Sequence, residues 1–573
     1  MVTNKQIAEK FTEFAEILEL QGGDRFRITA YERAAQEISS HGTSLEQIYK
    51  EKGKKGLQEI EGIGEGISER IEEFIKTGKV KELENLRKGS PEAEVEFMRI
   101  PGVGPKTAVK LYKKLKAKSV DDLKEKLAKQ GSKYFKERSL NKILKGIGFL
   151  KTVGKRMLLD EALLIAGEVV DYLKKPQLAQ NITPVGSLRR MKETVGDIDI
   201  VASSNQPAKF IEYFAKYDGF KQIIAKGQTK CSAIHRDGCQ IDLEILPEDK
   251  FGSLLQHFTG SKEHNVHLRT YAQEHGMSVS EHGIKIKKGR KEELILCSSE
   301  QIVYKTLGMS YIEPELREDR GEIEAALRRE LPKLVEHEDI KGDFHVHSVY
   351  SDGNDSINTM VKKAIELGYE YVAISDHTVG LGAARGLDKS RFAEREKEID
   401  KVQKSFPKIK ILNSCEVNIR PDGTLDLPDD FLKTFDIVVA SAHSSFDQLK
   451  DQYTKRLIKV AENKNIDIIG HPTGRLINRR EGFEADWEEV FKACRKNSVA
   501  LEINCYPRRL DLPDNLVFEA RKLGIKFSTS TDAHEAEAME IIPYGLSVAR
   551  RGWCEKKDVL NSYPLGELMK FLG

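Results

Sequence analysis

The chain is 573 residues long, 39% hydrophobic and 32% charged, with a formal net charge of +2. That length supports about three to four domains, each burying a core of its own. Seven cysteines, scattered and never spaced as C-x-x-C, argue against a disulfide framework and a thiolate zinc site and fit a reducing, cytoplasmic compartment. The charged start "MVTNKQIAEKFTEF" holds no signal-peptide core, and no apolar run approaches the roughly 20 residues of a membrane span, so a soluble protein without a membrane partner is expected.

From residue 1 to about 150 the apolar spacing is helical, as in "IAEKFTEFAEIL", with a modest basic excess in clusters such as "KLYKKLKAK". Two segments forty residues apart, "IEGIGEGISERIEEF" and "IPGVGPKTAVKLYKKL", share an apolar-x-Gly-apolar-Gly frame followed by an amphipathic helix, which predicts two helix-hairpin-helix elements. Glycines at Gly62, Gly64, Gly102 and Gly104 let the turn's backbone approach a ligand closely, and free N–H groups at the helix start, with Lys106 beside them, suit a phosphate oxygen. Such a pair holds a sugar-phosphate backbone without reading bases. The plainer reading, a turn that merely joins two packed helices, accounts for a single copy equally well, but not for two copies followed by basic residues.

From about 155 to 310 helices alternate with β-rich runs, which predicts an α+β unit. In "VGDIDIV", Asp197 and Asp199 occupy positions i and i+2 of a strand and so share one face, while Ile198 and Ile200 face the core. Paired carboxylates repel unless a cation sits between them. Asp242 in "QIDLEI" offers a third hard oxygen ligand, so the set suits Mg²⁺ (or Mn²⁺) acting in phosphoryl transfer. Upstream, "VGSLRR" supplies backbone N–H groups, a hydroxyl and guanidinium forks suited to a triphosphate.

"GSLRR", "VGDIDI", "IDLEI" and "FTGSKEHNVHLR", together with the two hairpin elements, resemble the family X DNA polymerases over about residues 1–315. The resemblance implies a helical DNA-binding domain at 1–85, a fingers-like helical subdomain at 86–150, a nucleotidyltransferase palm at 151–255 and a thumb-like nucleotide-selection subdomain at 256–315. It implies Asp197, Asp199 and Asp242 as the metal-binding catalytic residues, and Gly186, Ser187, Arg190 and Gly196 as contacts to the incoming dNTP. It also implies His257, Phe258 and Gly260 at the nucleotide sugar, Asn265 at the base's minor-groove edge and Arg269 at the template. His257-Phe258 stands where vertebrate-type members carry an aromatic pair. Arg70 aligns with the lysine that beta-type members use as a Schiff-base nucleophile; a guanidinium stays protonated, so that lyase chemistry is expected to be absent or moved to another amine.

The charged stretch 316–339 reads as a linker. Beyond it, seven β-like runs between helices give the rhythm of a parallel α/β barrel. All six histidines past residue 340, namely His345, His347, His377, His443, His471 and His534, fall at predicted strand ends, where a barrel brings residues to one face. Asp352, Glu416 and Asp532 add carboxylates, and nine N/O ligands exceed what one four-coordinate ion needs. H-x-H, Asp, "SDH", Glu, His, His and "DAH" in this order resemble the PHP (polymerase and histidinol phosphatase) family over about 340–573. That resemblance implies a distorted (β/α)7 barrel holding two or three Zn²⁺ or Mn²⁺ and a metal-dependent phosphoesterase, with Asp376 as an orienting or proton-handling residue and Arg475 as a phosphate contact.

The expected fold is therefore multidomain: an α-helical helix-hairpin-helix region, an α+β palm and thumb, and a C-terminal PHP barrel at 340–573. Both resemblances in this order point to the bacterial and archaeal two-part family X enzymes, monomeric, acting on gapped or primer-template DNA and dNTPs in base-excision-type repair. A 3′–5′ exonuclease is expected in the barrel, with cleavage at abasic sites left open. Two readings from other classes stand beside this one: a PHP phosphatase with an inactive polymerase, and a non-catalytic DNA-repair scaffold.

Overall fold

The computed structural model describes residues 2, 4–40, 45–60, 62–87, 92–98, 100, 103–136, 139–140, 143–144, 146–147, 156–288, 291–381 and 384–572. The chain divides into two compact units, Met1–Lys155 with Asn478–Arg480, and Arg156–Ile477 with Glu481–Gly573.

Among its described residues the N-terminal part of the first unit is built of helices joined by short turns. Helices Asn4–Leu20 and Arg25–Ser40 pack against each other through Ile7, Phe11, Phe14, Tyr31 and Ile38, the i, i+3, i+4 stripe visible in the sequence. Helix Glu65–Thr77 begins after Gly64 and stops at Gly78, whose φ of 69° lets its N–H reach the carbonyl of Phe74. Helix Pro105–Leu115 begins after Gly104, with proline at the first position, where the missing N–H costs nothing.

In the second unit, β1 (Met157–Leu158) pairs with β3 (Thr194–Val195) as a two-stranded sheet of its own, and a five-stranded sheet runs in the order β2-β4-β7-β6-β5. The strands of the larger sheet are β2 (Asn181–Pro184), β4 (Ile198–Ser203), β5 (Phe220–Lys226), β6 (Lys230–His235) and β7 (Gln240–Leu246). Ile198, Ile200, Ile241 and Leu243 face helix Leu159–Lys174 through its Ala162, Ile165, Ala166 and Val169. That alternation turns Asp199 and Asp242 to the opposite face.

A three-stranded sheet follows, β8 (Met277–Ser280), β9 (Gly283–Lys288) and β10 (Lys291–Ile295), in the order β10-β9-β8. The stretch 316–339, expected to be a linker, joins this subdomain's core instead: Leu316, Ile323, Ala326 and Leu334 are buried with Leu268, Val303 and Tyr304. Its charges misled because they are satisfied internally. Arg317 is fully buried, donating to Glu300 at 2.6 Å and to the carbonyl of Ile312, and Glu322 lies 2.6 Å from Nδ1 of His264.

Burial raises the carboxyl of Glu300, but Arg317 and Arg189 outweigh it and hold the group down at about 2. A depressed carboxylate contributes stability above its unfolded pKa of 4.5 and loses it as pH falls through about 2. Glu300→Gln is accordingly expected to cost about 3 kcal/mol at neutral pH, and to flatten the fall in thermal midpoint between pH 5 and 2 that the unaltered chain shows. A variant with the parent's midpoint at pH 7 would contradict this.

The barrel is a parallel sheet in strict sequence order, β11 (Gly342–Val346), β12 (Tyr371–Ile374), β13 (Lys410–Asn418), β14 (Ile437–Ser441), β15 (Ile468–Gly470), β16 (Ala500–Asn504) and β17 (Phe527–Ser530). A parallel bridge from Val346 to Ala533 joins its first strand to the segment after its last. Two apolar sets alternate along the strands. Phe344, Tyr371, Ala373, Leu412, Val439 and Ala500 fill the interior above Leu560 and Leu568, while Val372, Ile374, Ile411, Val438 and Leu501 face the surrounding helices. With both faces covered, the strands read as continuous hydrophobic runs, as parallel strands do. Residues just beyond their C-terminal ends are left to line one mouth.

Candidate active sites and metal centres

Two constellations stand out in the second unit. In the first, Asp199 on β4 and Asp242 on β7 are direct register partners across neighbouring parallel strands, and Asp197 lies exposed one residue before β4. Burial, then repulsion from Asp197, Asp242 and Glu244, pushes Asp199 up to about 7. A crowded carboxylate group of this kind fits a divalent cation. Gln240, which sequence reasoning passed over, donates to both oxygens of Asp242 at 3.1 and 2.9 Å and fixes that side chain's plane.

Gly186 faces this group at φ +66°, where a Cβ would come within 2.8 Å of Asp199 Oδ2, so only glycine lets the "GSLRR" turn lie against the carboxylates. Ser187 lies in the short helical turn Gly186–Arg189 that follows. Gly196 is backed by Arg156, whose Nη1 a Cβ would meet at 3.1 Å. Arg189 is committed to Glu300 at 2.7 Å. Arg190 donates through Nε to Glu318 at 2.8 Å and through Nη1 to the carbonyl of Thr259, bringing the "FTGS" turn and its Gly260 against the arginine.

The rings of His257 and Phe258 lie 5.1 Å apart, and Lys230 sits 5.7 Å over Phe258. Asn265 donates to the carbonyl of His257 at 2.7 Å and accepts from Gln256 at 2.8 Å; Arg269 lies 3.1 Å from Nδ1 of His257. A base or template contact by either side chain thus exchanges an internal bond.

The second constellation gathers all nine residues picked from the barrel's strand ends. Ligand atoms of His347, Asp352, His377 and His534 lie within 4.8 Å of one another, as do those of His345, His347 and Asp532, and those of His377, Glu416 and His443. His471 joins through Nε2, 3.1 Å from Glu416 Oε1. His347 and His377 each belong to two of these groups, and Glu416 lies amid the histidines, with His377 Nδ1 at 2.6 Å, His443 Nε2 at 3.3 Å and His345 Nε2 at 3.5 Å. The three carboxylates of the first site form no such close triple among the described residues.

Four buried atoms aimed into the barrel cluster, His345 Nε2, His377 Nδ1, Asp352 Oδ1 and Glu416 Oε2, have no hydrogen-bond partner among the described residues. Nitrogens and oxygens that approach one another without hydrogen-bond geometry, in a set of neutralisable histidines and carboxylates, fit ligation of divalent ions. The electrostatics are mutual. Burial opposes ionisation of Glu416, yet His377, His443 and His345 hold it well below the carboxylate range. Burial, His534 and His377 push His347 down to about 4, whereas Asp352 overcomes burial to raise His534 to about 9.

Three supporting residues were not found from the sequence. Glu502 lies 2.7 Å from Nδ1 of His345 and accepts the backbone N–H of His471 at 2.6 Å, so one carboxylate orients two ligands. Its signal was its spacing two residues beyond the inward-facing Ala500 on β16. Asn418 lies 3.3 Å from Nδ1 of His443. Arg395, fully buried, donates to Asp376 at 3.1 Å.

Asp376 itself accepts from the backbone N–H and hydroxyl of Ser348 and from the hydroxyl of Ser351, which fixes the loop between His347 and Asp352. Arg475, expected at a phosphate, is placed differently. It donates to Glu193 at 2.7 Å and to the carbonyls of Arg509 and Leu510, so its fork is spent on the palm and a neighbouring loop. The barrel-mouth guanidinium nearer the ligands is Arg509, 3.8 Å from Asp532.

In the first unit, Gly62 turns at φ +73°, and a Cβ at Gly64 or Gly104 would meet nothing within 4 Å. Neither helix start carries a side-chain cap on its first-turn amides. Gly102 and the side chain of Lys106 lie outside the described residues.

Comparison with known proteins gives the parts in the same chain order. Residues 2–80 match the helix-hairpin-helix domain family, and 54–118 and 94–148 match the SAM-like helix-hairpin-helix tandem. Residues 254–318 match the DNA polymerase beta thumb and 343–505 the PHP domain. The chain is 38% identical over 574 residues to the DNA polymerase/3′-5′ exonuclease PolX of Bacillus subtilis (strain 168), covering 99% of both chains. It belongs to the family X DNA polymerases with a C-terminal PHP domain. Within that family frame, rat DNA polymerase lambda is 24% identical over 356 residues, 55% of this chain and 56% of its own. A Thermoanaerobacter sp. (strain X514) protein named "Probable phosphatase" is 27% identical over 241 residues, 40% of this chain and 93% of its own. Among the described residues no helix is long and apolar enough to cross a membrane.

Proposed function

We propose that this family X enzyme is a DNA-directed DNA polymerase that fills short gaps in base-excision-type repair, and that its barrel is a 3′–5′ exonuclease. The observation that supports the reading is the coexistence of two separate constellations in one chain: Asp199 and Asp242 in register on the palm with Asp197 one residue before β4, and nine candidate ligands at the barrel's strand ends. A vestigial polymerase would not require Gly186 to keep its left-handed turn against Asp199.

On the palm, Ser187, Arg190 and the backbone of the Gly186 turn bind the triphosphate, Gly196 adds a contact from the turn after β3, and His257, Phe258 and Gly260 line the sugar. In the barrel, Glu502 and Asn418 hold His345 and His443 in register with Glu416, and Asp376 holds the loop bearing Asp352. Divalent ions, Mg²⁺ or Mn²⁺ on the palm and Zn²⁺ or Mn²⁺ in the barrel, supply charge stabilisation at the phosphate and acidify water. Gly62, Gly64, Gly104 and Lys106, with Gly102, hold the DNA backbone. The enzyme acts as a cytoplasmic monomer. A gap-filling and 3′-degradation assay on wild type, on Asp197→Ala/Asp199→Ala and on His345→Ala/His347→Ala tests the whole reading; one double variant losing both activities or neither would overturn it.

The position of Arg70 refines the reading. Its guanidinium donates to Glu82 and packs 5.7 Å over Tyr31, an ion pair on an aromatic face with no nucleophile in it. Borohydride trapping on a 5′-deoxyribose-phosphate substrate is expected to give no adduct that depends on Arg70; an adduct lost in Arg70→Ala would contradict this.

A further inference from the structure

Glu318 sits between two arginines from distant parts of the chain. Arg190 of the palm donates to its Oε1 at 2.8 Å, and Arg551, at the end of barrel helix Ile542–Arg551, donates to the same oxygen at 3.0 Å. Arg551 also donates to the backbone carbonyl of Arg190 at 2.8 Å and to Asp514 at 2.5 Å, where Arg320 is a further partner at 3.1 Å. The side chains are 2% exposed at Arg551, 12% at Arg190 and 15% at Glu318, so water competes little for these bonds.

The far side of Arg190 is fixed as well. Nη1 donates to Thr259, and a Cβ at Gly260 would approach that nitrogen to 3.0 Å, so the guanidinium is clasped between the "FTGS" turn and Glu318. Arg551 is thus bonded both to the carboxylate that sets the Arg190 side chain and to the carbonyl that sets its backbone.

We propose that Arg551 of the barrel, acting through Glu318, is a positioning residue for nucleotide binding on the palm. It holds Arg190 in the orientation that meets a triphosphate, and the barrel is thereby a working part of the polymerase site. The proposal rests on the reading of Arg190 as a triphosphate contact. A network that only fastened palm to barrel would leave dNTP binding unchanged when broken, and the molecule carries an internal control: Glu193–Arg475 also joins the two, without touching Arg190.

The test is steady-state insertion of one nucleotide into a one-nucleotide gap by the full-length chain with dNTP varied, alongside degradation of a labelled 3′ strand by the same preparations. Arg551→Ala and Glu318→Gln are expected to raise KM for dNTP roughly tenfold, with a smaller change in kcat and with degradation unchanged, as when a binding group loses its outer support. Arg551→Lys restores part of the loss, and Glu193→Gln keeps the parent's KM. Parent-like KM in both Arg551→Ala and Glu318→Gln, while Arg190→Ala raises it, overturns the proposal. So does an equal rise in Glu193→Gln. If Arg190→Ala itself leaves KM unchanged, the reading of Arg190 falls and takes the proposal with it. Should Arg551→Ala lose degradation through misfolding, Glu318→Gln decides alone.

Discussion

Replacing Asp197 and Asp199 together by alanine is expected to abolish primer extension, by more than about 10³-fold, while the same preparation goes on degrading a 3′ strand. In the proposed reading Asp197, Asp199 and Asp242 hold cations against the substrate's charge, and cation stabilisation of a phosphoryl transition state is worth several kcal/mol, with each 1.4 kcal/mol about tenfold in rate. The variant should stay folded. Ile198 and Ile200 keep the core side of β4, and the exposed face loses only groups that repel one another. A thermal midpoint at the parent's value confirms that the loss is chemical; extension within tenfold of the parent's would remove the polymerase assignment.

The converse holds in the barrel. His345→Ala/His347→Ala is expected to lose strand degradation by a similar factor and most of the bound metal, while gap filling survives and net extension rises because trimming has stopped. His345 and His347 are fully buried, so the double alanine leaves voids. Glu416→Gln supplies the companion: it keeps the volume and removes the one charge shared by five histidines, at distances from 2.6 to 3.8 Å. Metal analysis and both assays on the two variants read the same point twice. Degradation retained in Glu416→Gln together with a full metal complement would sink the barrel's role.

Legibility varied by element for physical reasons. The palm's Asp199 and Asp242 lie on the face opposite Ile198, Ile200, Ile241 and Leu243, as strand alternation predicts from a rule local to a few residues, whereas Asp197 falls one residue before β4. The barrel's ligands could be read because parallel strands place their ends on one rim whatever the loops between them do. Arg475 misled because a conspicuous arginine next to a ligand histidine says nothing of what faces it; the answer, Glu193, is 282 positions away. The stretch 316–339 is not legible from charge density because its charges are paired within the thumb, Arg317 with Glu300 and Glu322 with His264.

What the amino-acid order determined alone was the set of local patterns: the hairpin glycines, the paired aspartates, the strand-end histidines, and hence the fold classes and the chemistry. Only the tertiary structure could decide which groups support them. Glu502 beneath His345 and Arg551 reaching Arg190 through Glu318 are polar contacts between residues 157 and 233 positions apart, separations that follow no period. Hydrophobic periodicity is a signal repeated at every turn or pleat, so it survives in one dimension; a single hydrogen bond is made once, by geometry that exists only after the chain has folded.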